Sequence, residues 1–259
     1  MPDLTILHTN DLHGKLAARV AEIIAREKAS AGRCLLLDGG DAVSSGNVYY
    51  RPGGEPVLAR MTDLGYDAMV MGNREFHFLE AGLKSKVKLA RFPILCANIR
   101  GRDGKIPPAI RPSMTWDLDG LRVTAFGLTV PMITKRMKVS KLSPYHFEDP
   151  VETAAEIVPR LRPDCDVLIA LTHIGFRVDV ELAGSVAGID IVVGGHSHTV
   201  LNEPDFVRDT AVVQAGWWGH YLGKTEITLA AAHPEVRTTL TNMRDSSLNP
   251  QSEIRNPKS

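Results

Sequence analysis

The sequence has little cysteine, no excess of either charge and no long apolar run, and each shortage removes a class of protein. Three cysteines in 259 residues, Cys34, Cys96 and Cys165, are odd in number and widely spaced. They form neither a disulfide framework nor a paired metal motif, and they read as small core residues. Thirty basic residues balance thirty acidic ones, so the whole chain offers no electrostatic footprint for a nucleic acid polymer or an anionic membrane. No run approaches bilayer-spanning length, and no basic leader with an apolar stretch opens the sequence. The expectation is a soluble, cytoplasmic protein with no inferable protein partner; a leader removed ahead of Met1, with a periplasmic or secreted location, stays open. What remains is ordinary for a globular chain able to bury a large core: 44% hydrophobic and 23% charged residues.

Short apolar runs alternate with helical patterns. Leu4 to Leu7, Cys34 to Leu37, Ala68 to Met71, Phe92 to Ala97, Val167 to Leu171 and Ile189 to Val193 predict buried strands. Helix periodicity covers Ala17 to Ala29, Pro56 to Leu64 and Val151 to Leu161, the last with Asp149 as N-cap and Pro150 at the first helical position. Around Asp119-Gly120, Thr115 to Leu128 reads as a hairpin, and strands also fit Ala211 to Gln214 and Lys224 to Leu229. This is an α/β layered protein with mixed sheets and no internal repeat. A single domain is expected over 1–241, followed by a polar, disordered tail over 242–259.

Five of the strands run directly into polar turns that hold potential metal ligands: Asp11 and His13, Asp41, Asn73, His173, and His196 with His198 after Gly194-Gly195. A lone Asp or His after a strand is usually a turn residue or a cap. Groups beyond the carboxyl ends of α/β strands, however, can converge on one rim. Four His, two Asp and one Asn make a nitrogen and oxygen shell that suits Zn, Mn or Fe better than Ca or Mg. Seven ligands are too many for one four-coordinate ion but suit two adjacent divalent ions that share a carboxylate. His8, His146, His220 and His233 lack this setting.

Asp11-Leu12-His13, Gly39-Gly40-Asp41, Gly72-Asn73-Arg74-Glu75, Thr172-His173 and Gly195-His196-Ser197-His198 resemble the calcineurin-like metallophosphoesterases. Among these the sequence is most similar to the catalytic domain of 5′-nucleotidases and UDP-sugar hydrolases, over roughly Leu4 to Leu229. The resemblance implies a four-layer αββα sandwich of two mixed β-sheets flanked by helices. It implies one metal on Asp11, His13 and His198, another on Asn73, His173 and His196, and Asp41 as the bridge. It further implies hydrolysis of a small phosphorylated substrate, a phosphomonoester such as a nucleotide, by in-line attack of a hydroxide between the metals. A phosphodiesterase, a hydrolase of another bond such as an amide, and a metal-binding regulatory protein are the alternatives.

The motif after Asn73 departs from the family. Where the family places histidine followed by Glu-Phe-Asp, this chain has Arg74, Glu75, Phe76 and His77. Arg74 can bind phosphate oxygens but cannot deliver a proton. His77, three residues on, would share a helix face with Arg74 and could replace the missing acid; a salt-bridged Arg74 and a His77 packed at a helix start are the alternative. Asn73, Arg74 and Trp217 are expected beside the substrate, with Trp217 and Trp218 as a candidate wall. Asp38 is assigned to turn or supporting hydrogen bonds. Lys135, Arg136, Lys138 and Lys141 are read as a solvated face. No C-terminal nucleotide-specificity domain of the periplasmic 5′-nucleotidase type is expected.

Overall fold

The computed structural model describes residues 2–16, 18–229 and 234–244. Beyond Arg244 the expected tail, and with it most of 242–259, lies outside the described residues, as does His233.

Two large sheets account for most of the strands. In the first, β1 (Leu4–Thr9), β2 (Cys34–Asp38), β3 (Ala68–Val70) and β4 (Ile94–Leu95) run parallel, and β13 (Tyr221–Thr228) and β14 (Glu235–Asn242) continue antiparallel from β1. In the second, β7 (Leu121–Thr129), β9 (Val167–His173), β10 (Ile191–Val193) and β12 (Thr210–Val213) are parallel. Its two edges, β6 (Ser113–Leu118) and β11 (Asp205–Val207), pair antiparallel. A small ribbon joins β5 (Ile99–Gly101) to β8 (Tyr145–Phe147).

Alternation along the strands explains the layering, because successive side chains leave opposite faces. Leu4 and Ile6 of β1, Leu35 and Leu37 of β2, Val167, Ile169 and Leu171 of β9, and Ile191 and Val193 of β10 form one cluster between the sheets. The intervening residues face helices. Leu7, Leu36 and Met69 pack with Val20, Ile23 and Ile24 of α1 (Ala18–Ser30), with Leu58 and Met61 of α2 (Pro56–Asp63), and with Leu83 of α3 (Glu80–Val87). On the other side Phe126, Leu168, Ala170 and Val192 pack with Ala154 and Val158 of α4 (Pro150–Leu161) and Leu182 of α5 (Phe176–Ser185). The result is the expected helix, sheet, sheet, helix order. Among the described residues no helix is long and apolar enough to cross a membrane.

Local signals behave as their chemistry requires. Asp149 caps α4 by accepting from the N–H groups of Val151 and Glu152 at 2.9 and 3.0 Å. Asp119 and Gly120 turn the β6–β7 hairpin with φ of 51° and 83°, the double left-handed pair of a tight hairpin turn. Six strands and helices were not anticipated: α3, α5, β5, β8, β11 and β14.

Candidate metal centre

Register delivers the candidate ligands together. Thr9 pairs with Asp38, so β1 and β2 release Asn10-Asp11 and Gly39-Gly40-Asp41 side by side. In the other sheet Val193 pairs with Leu171, which puts Gly195 level with His173. The two sheets meet at these turns: a Cβ on Gly39 would lie 2.7 Å from the Gly194 carbonyl oxygen, and one on Gly195 would strike the Gly39 carbonyl. Only glycine lets ligands from both sheets come this close.

Two clusters result. Carboxylate and imidazole atoms of Asp11, His13 and His198 lie within 4.8 Å of one another, as do those of Asp11, Asp41 and His173. In the first, the Nε2 atoms of His13 and His198 face each other at 3.2 Å, and Asp11 Oδ1 is 3.3 Å from His198 Nε2. In the second, Asp41 Oδ1 is 3.4 Å from His173 Nε2. Asn73 Oδ1 is 3.2 Å from His173 Nε2 and 3.1 Å from His196 Nδ1, so all seven candidate ligands meet on one rim, with Asp11 common to both clusters.

The residues fit the binding of metal cations. Asp11 Oδ1 and His13 Nδ1 are buried without a hydrogen-bond partner, and a buried acceptor left unpaired costs roughly 1–3 kcal/mol. Asp11, His13, Asp41, His196 and His198 all hold left-handed φ, between 47° and 75°. Such conformations persist in non-glycine residues only where the surroundings enforce them, and they cluster at functional sites. A mixed imidazole, carboxylate and amide shell is the donor set of zinc, manganese or iron.

Supporting contacts orient each ligand. Asn10 Nδ2 donates to Asp11 Oδ2 at 2.8 Å, and the same oxygen accepts the His196 N–H at 2.9 Å. His173 Nδ1 donates to the Gly39 carbonyl at 2.7 Å, which aims Nε2 at Asp41 and Asn73. Burial alone would push Asp41 up and His173 down. Their contact prevails, holding Asp41 below the usual carboxylate range and raising His173 to about 9. Glu75, fully buried, accepts from the N–H groups of Asp41 and Gly72 with one oxygen and of Val43 with the other, at 2.8–3.0 Å, and so ties the Asp41 and Asn73 turns together. Burial pushes its carboxyl up to about 7, with the charge of Asp41 adding to the effect. Asp38 takes the supporting role expected of it, accepting from Thr9 Oγ1 at 2.6 Å and the Gly40 N–H at 2.9 Å.

Arg74 sits on the rim. Its N–H donates to Asp41 Oδ1 at 2.7 Å, its Nε lies 3.4 Å from Asp41 Oδ2, and its guanidinium donates to the Ser44 carbonyl at 2.8 Å. Behind it the fully buried Lys86 of α3 donates to the Arg74 and Gly46 carbonyls and to Ser45 Oγ. His77 is placed differently. Residues 73–75 form a turn and α3 begins only at Glu80, so the helical face that would align His77 with Arg74 is not formed. The His77 ring is buried between Tyr50 and Phe78, and its Nδ1 accepts the Leu79 N–H at 3.0 Å just ahead of α3.

Trp217 lies against the first cluster, its ring stacked on His198 at 5.9 Å and 18°. Trp218 is exposed, donates its backbone N–H to the Asp11 carbonyl at 2.8 Å, and carries the Lys15 ammonium 5.2 Å from its ring centre. Lys135, Arg136, Lys138 and Lys141 are exposed, as a solvated face requires. The sequence reading missed the roles of Asn10, Glu75, Lys86, Asp179 and Gln214. Adjacency to a ligand motif could have flagged the first two; nothing local marks the others.

A family model described as calcineurin-like phosphoesterase matches residues 4–200. The "Trifunctional nucleotide phosphoesterase protein YfkN" of Bacillus subtilis is 34% identical over 87% of this chain and 18% of its own length. A snake venom 5′-nucleotidase from Naja atra is 35% identical over 87% of this chain and 50% of its own. A solved 5′-nucleotidase precursor from Thermus thermophilus superposes with a TM-score of 0.73 at 29% identity, covering 92% of this chain and 54% of that one. The chain thus spans half or less of the length of these curated relatives.

Proposed function

The chain belongs to the calcineurin-like phosphoesterase family, and from that premise we propose that it is a metal-dependent phosphoric ester hydrolase acting on a phosphomonoester, with nucleotides as the first candidates. The observation that carries the reading is the rim where seven candidate ligand side chains converge around a buried carboxylate oxygen with no hydrogen-bond partner. Asp11, His13 and His198 would hold one divalent ion, and Asn73, His173 and His196 the other, with Asp41 shared. Bound there, two transition-metal ions would supply Lewis acidity to the phosphoryl oxygens and would lower the pKa of the attacking water.

The side chains around the clusters then divide the remaining work. Asn10 and Gly39 keep Asp11 and His173 pointed at the site. Arg74, fixed by Asp41 and Ser44, presents a permanent positive charge to the phosphate but has no proton to give at working pH. The enclosed His77, with Nδ1 already engaged, does not take the acid role in this reading. The leaving group then receives its proton from water or the substrate, which favours substrates with good leaving groups. Trp217, stacked on His198, would border the space that the leaving group enters.

A manganese-supplemented panel of nitrophenyl phosphate, nucleoside monophosphates and bis-nitrophenyl phosphate tests this. Monoesters should turn over faster than the diester. A preference for the diester would overturn the monoester assignment, and two equivalents of bound metal with no ester cleaved would favour a regulatory protein. Arg74→Ala should weaken substrate binding without removing metal. His77→Ala should affect alkyl and aryl esters equally; a loss confined to poor leaving groups, roughly 10² to 10⁴-fold, would restore His77 as the acid.

A further inference from the structure

Behind the His196 and His198 turn lies a chain of hydrogen bonds, buried at its inner end, that the reading above does not use. Thr172, next to His173, donates from Oγ1 to Asp179 Oδ1 at 2.6 Å, and Gln214 Nε2 donates to Asp179 Oδ2 at 2.8 Å. Gln214 Oε1 in turn accepts from Ser197 Oγ at 3.0 Å. Ser197 sits between the two histidines and also accepts the Phe176 N–H, at 3.0 Å, from the first turn of α5. Asp179, Gln214 and Thr172 are completely buried. The approach is tight: a side chain on Gly194 would meet both Asp179 and Gln214.

We propose that Asp179, Gln214 and Ser197 form a relay of positioning residues that holds His196 and His198 in their metal-binding conformation. Three facts carry this. The two histidines have φ of 75° and 57°, a conformation that a loop of non-glycine residues does not keep unaided. Ser197 Oγ is the side-chain anchor between them, held by Gln214, the Phe176 N–H and Thr199 Oγ1 rather than by the histidines. Gln214 is oriented in turn: its amide nitrogen donates to Asp179 Oδ2, which leaves its oxygen to accept from Ser197. Because His196 and His198 belong to different ions in the proposed site, the relay acts on both ions at once. By contrast Asn10 reaches one candidate ligand, Asp11, and otherwise bonds the backbone of Ala215 and Gly216.

The inference rests on the metal-site reading, and the experiment separates the two. Metal-free wild-type chain, Gln214→Leu, Ser197→Ala and Asp179→Asn are titrated with manganese and with zinc, and the melting temperature of each metal-free protein is recorded. Gln214→Leu should lower the affinity for both ions by roughly 10 to 100-fold, the usual effect of removing a group that orients ligands. Ser197→Ala, on the surface of the turn, should lower both affinities with little change in metal-free melting. Asp179→Asn should restore near wild-type binding, because the asparagine oxygen still accepts from Gln214 and its nitrogen can donate to the Thr172 hydroxyl. Wild-type affinity in Ser197→Ala and Gln214→Leu, whatever their melting temperatures, overturns the relay while leaving the metal site intact. If Gln214→Leu does not fold, Ser197→Ala decides alone. A wild-type chain that binds neither metal overturns the site reading and the relay together.

Discussion

Strands β1, β2 and β9 each pass through two environments a few residues apart. In their middles, Leu4, Ile6, Leu35, Leu37, Ile169 and Leu171 interlock between the sheets with no exposed surface beyond 1%. At their carboxyl ends the same strands release Asp11, Asp41 and His173, where left-handed backbone, facing imidazoles and an unpartnered carboxylate oxygen crowd together. The core is organised for stability, whereas the rim is organised for something that must still arrive. The core's dispersion and hydrophobic gains, which scale with buried area, are what hold the rim in a shape it would not adopt alone. Stability and metal binding should therefore respond to substitution in opposite ways at the two ends of one strand.

The largest effect is expected at the rim. Asp41→Ala should cost the second ion and nearly all ester hydrolysis, even after reconstitution with manganese or zinc; full occupancy with turnover in that variant would break the assignment of Asp41 as the bridge. One strand turn earlier on β2, Leu37→Ala should instead cost roughly 2–5 kcal/mol of stability through the cavity it leaves. Metal stoichiometry in the surviving folded protein should be unchanged. Denaturant unfolding of both variants, alongside metal analysis, is the check, and a Leu37→Ala protein that keeps its stability would contradict the division between core and rim.

His8 sharpens the contrast from inside the core. It continues the alternation of Leu4 and Ile6 on β1, is fully buried, has Nε2 3.3 Å from Thr225 Oγ1, and leaves Nδ1 without a partner. Burial lowers its pKa to about 4. A histidine whose folded pKa is depressed contributes stability that is present above its unfolded value near 6.5 and is lost as pH falls through about 4. At the acid limit this amounts to about 3 kcal/mol. His8→Leu should flatten the stability curve between those two pH values; an unchanged acid limb would remove His8 from the account.

The smallest effect is the most diagnostic. Asp11→Asn keeps an oxygen for Asn10 and the His196 N–H while giving the buried position a donor that can face the histidines. The metal-free protein should become equal or greater in stability, by up to about 1–3 kcal/mol, because a buried unpaired acceptor is removed. Binding at the first cluster should be lost. A destabilised metal-free Asp11→Asn protein would mean that the rim's apparent strain is already compensated in ways the hydrogen bonds do not reveal.

Much of this was legible in the sequence because its signals are local. The apolar runs before Asp11, Asp41 and His173, the Asp119-Gly120 turn and the Asp149-Pro150 helix start each lie within a few residues of their effect. The elements that escaped have weak stripes. Helix α5 buries Leu182 and Ala183 but also Asp179, and α3 buries Gly82 and Lys86 beside Leu83. Edge strand β14 sets exposed Glu235, Arg237 and Thr239 against only two buried residues, Val236 and Thr238. His77 was drawn toward Arg74 by a helical spacing that the turn at 73–75 does not provide. Gln214 and Asp179 were invisible for a different reason: they are 35 residues apart in the chain, and a hydrogen bond of that span leaves no periodic trace.

The most direct measurement is anomalous diffraction from crystals of the chain reconstituted with manganese. The account predicts two peaks at the rim, one among Asp11, His13 and His198 and one among Asn73, His173 and His196, with Asp41 between them. A single peak, or none at the rim in protein shown to be folded, would contradict a two-metal centre.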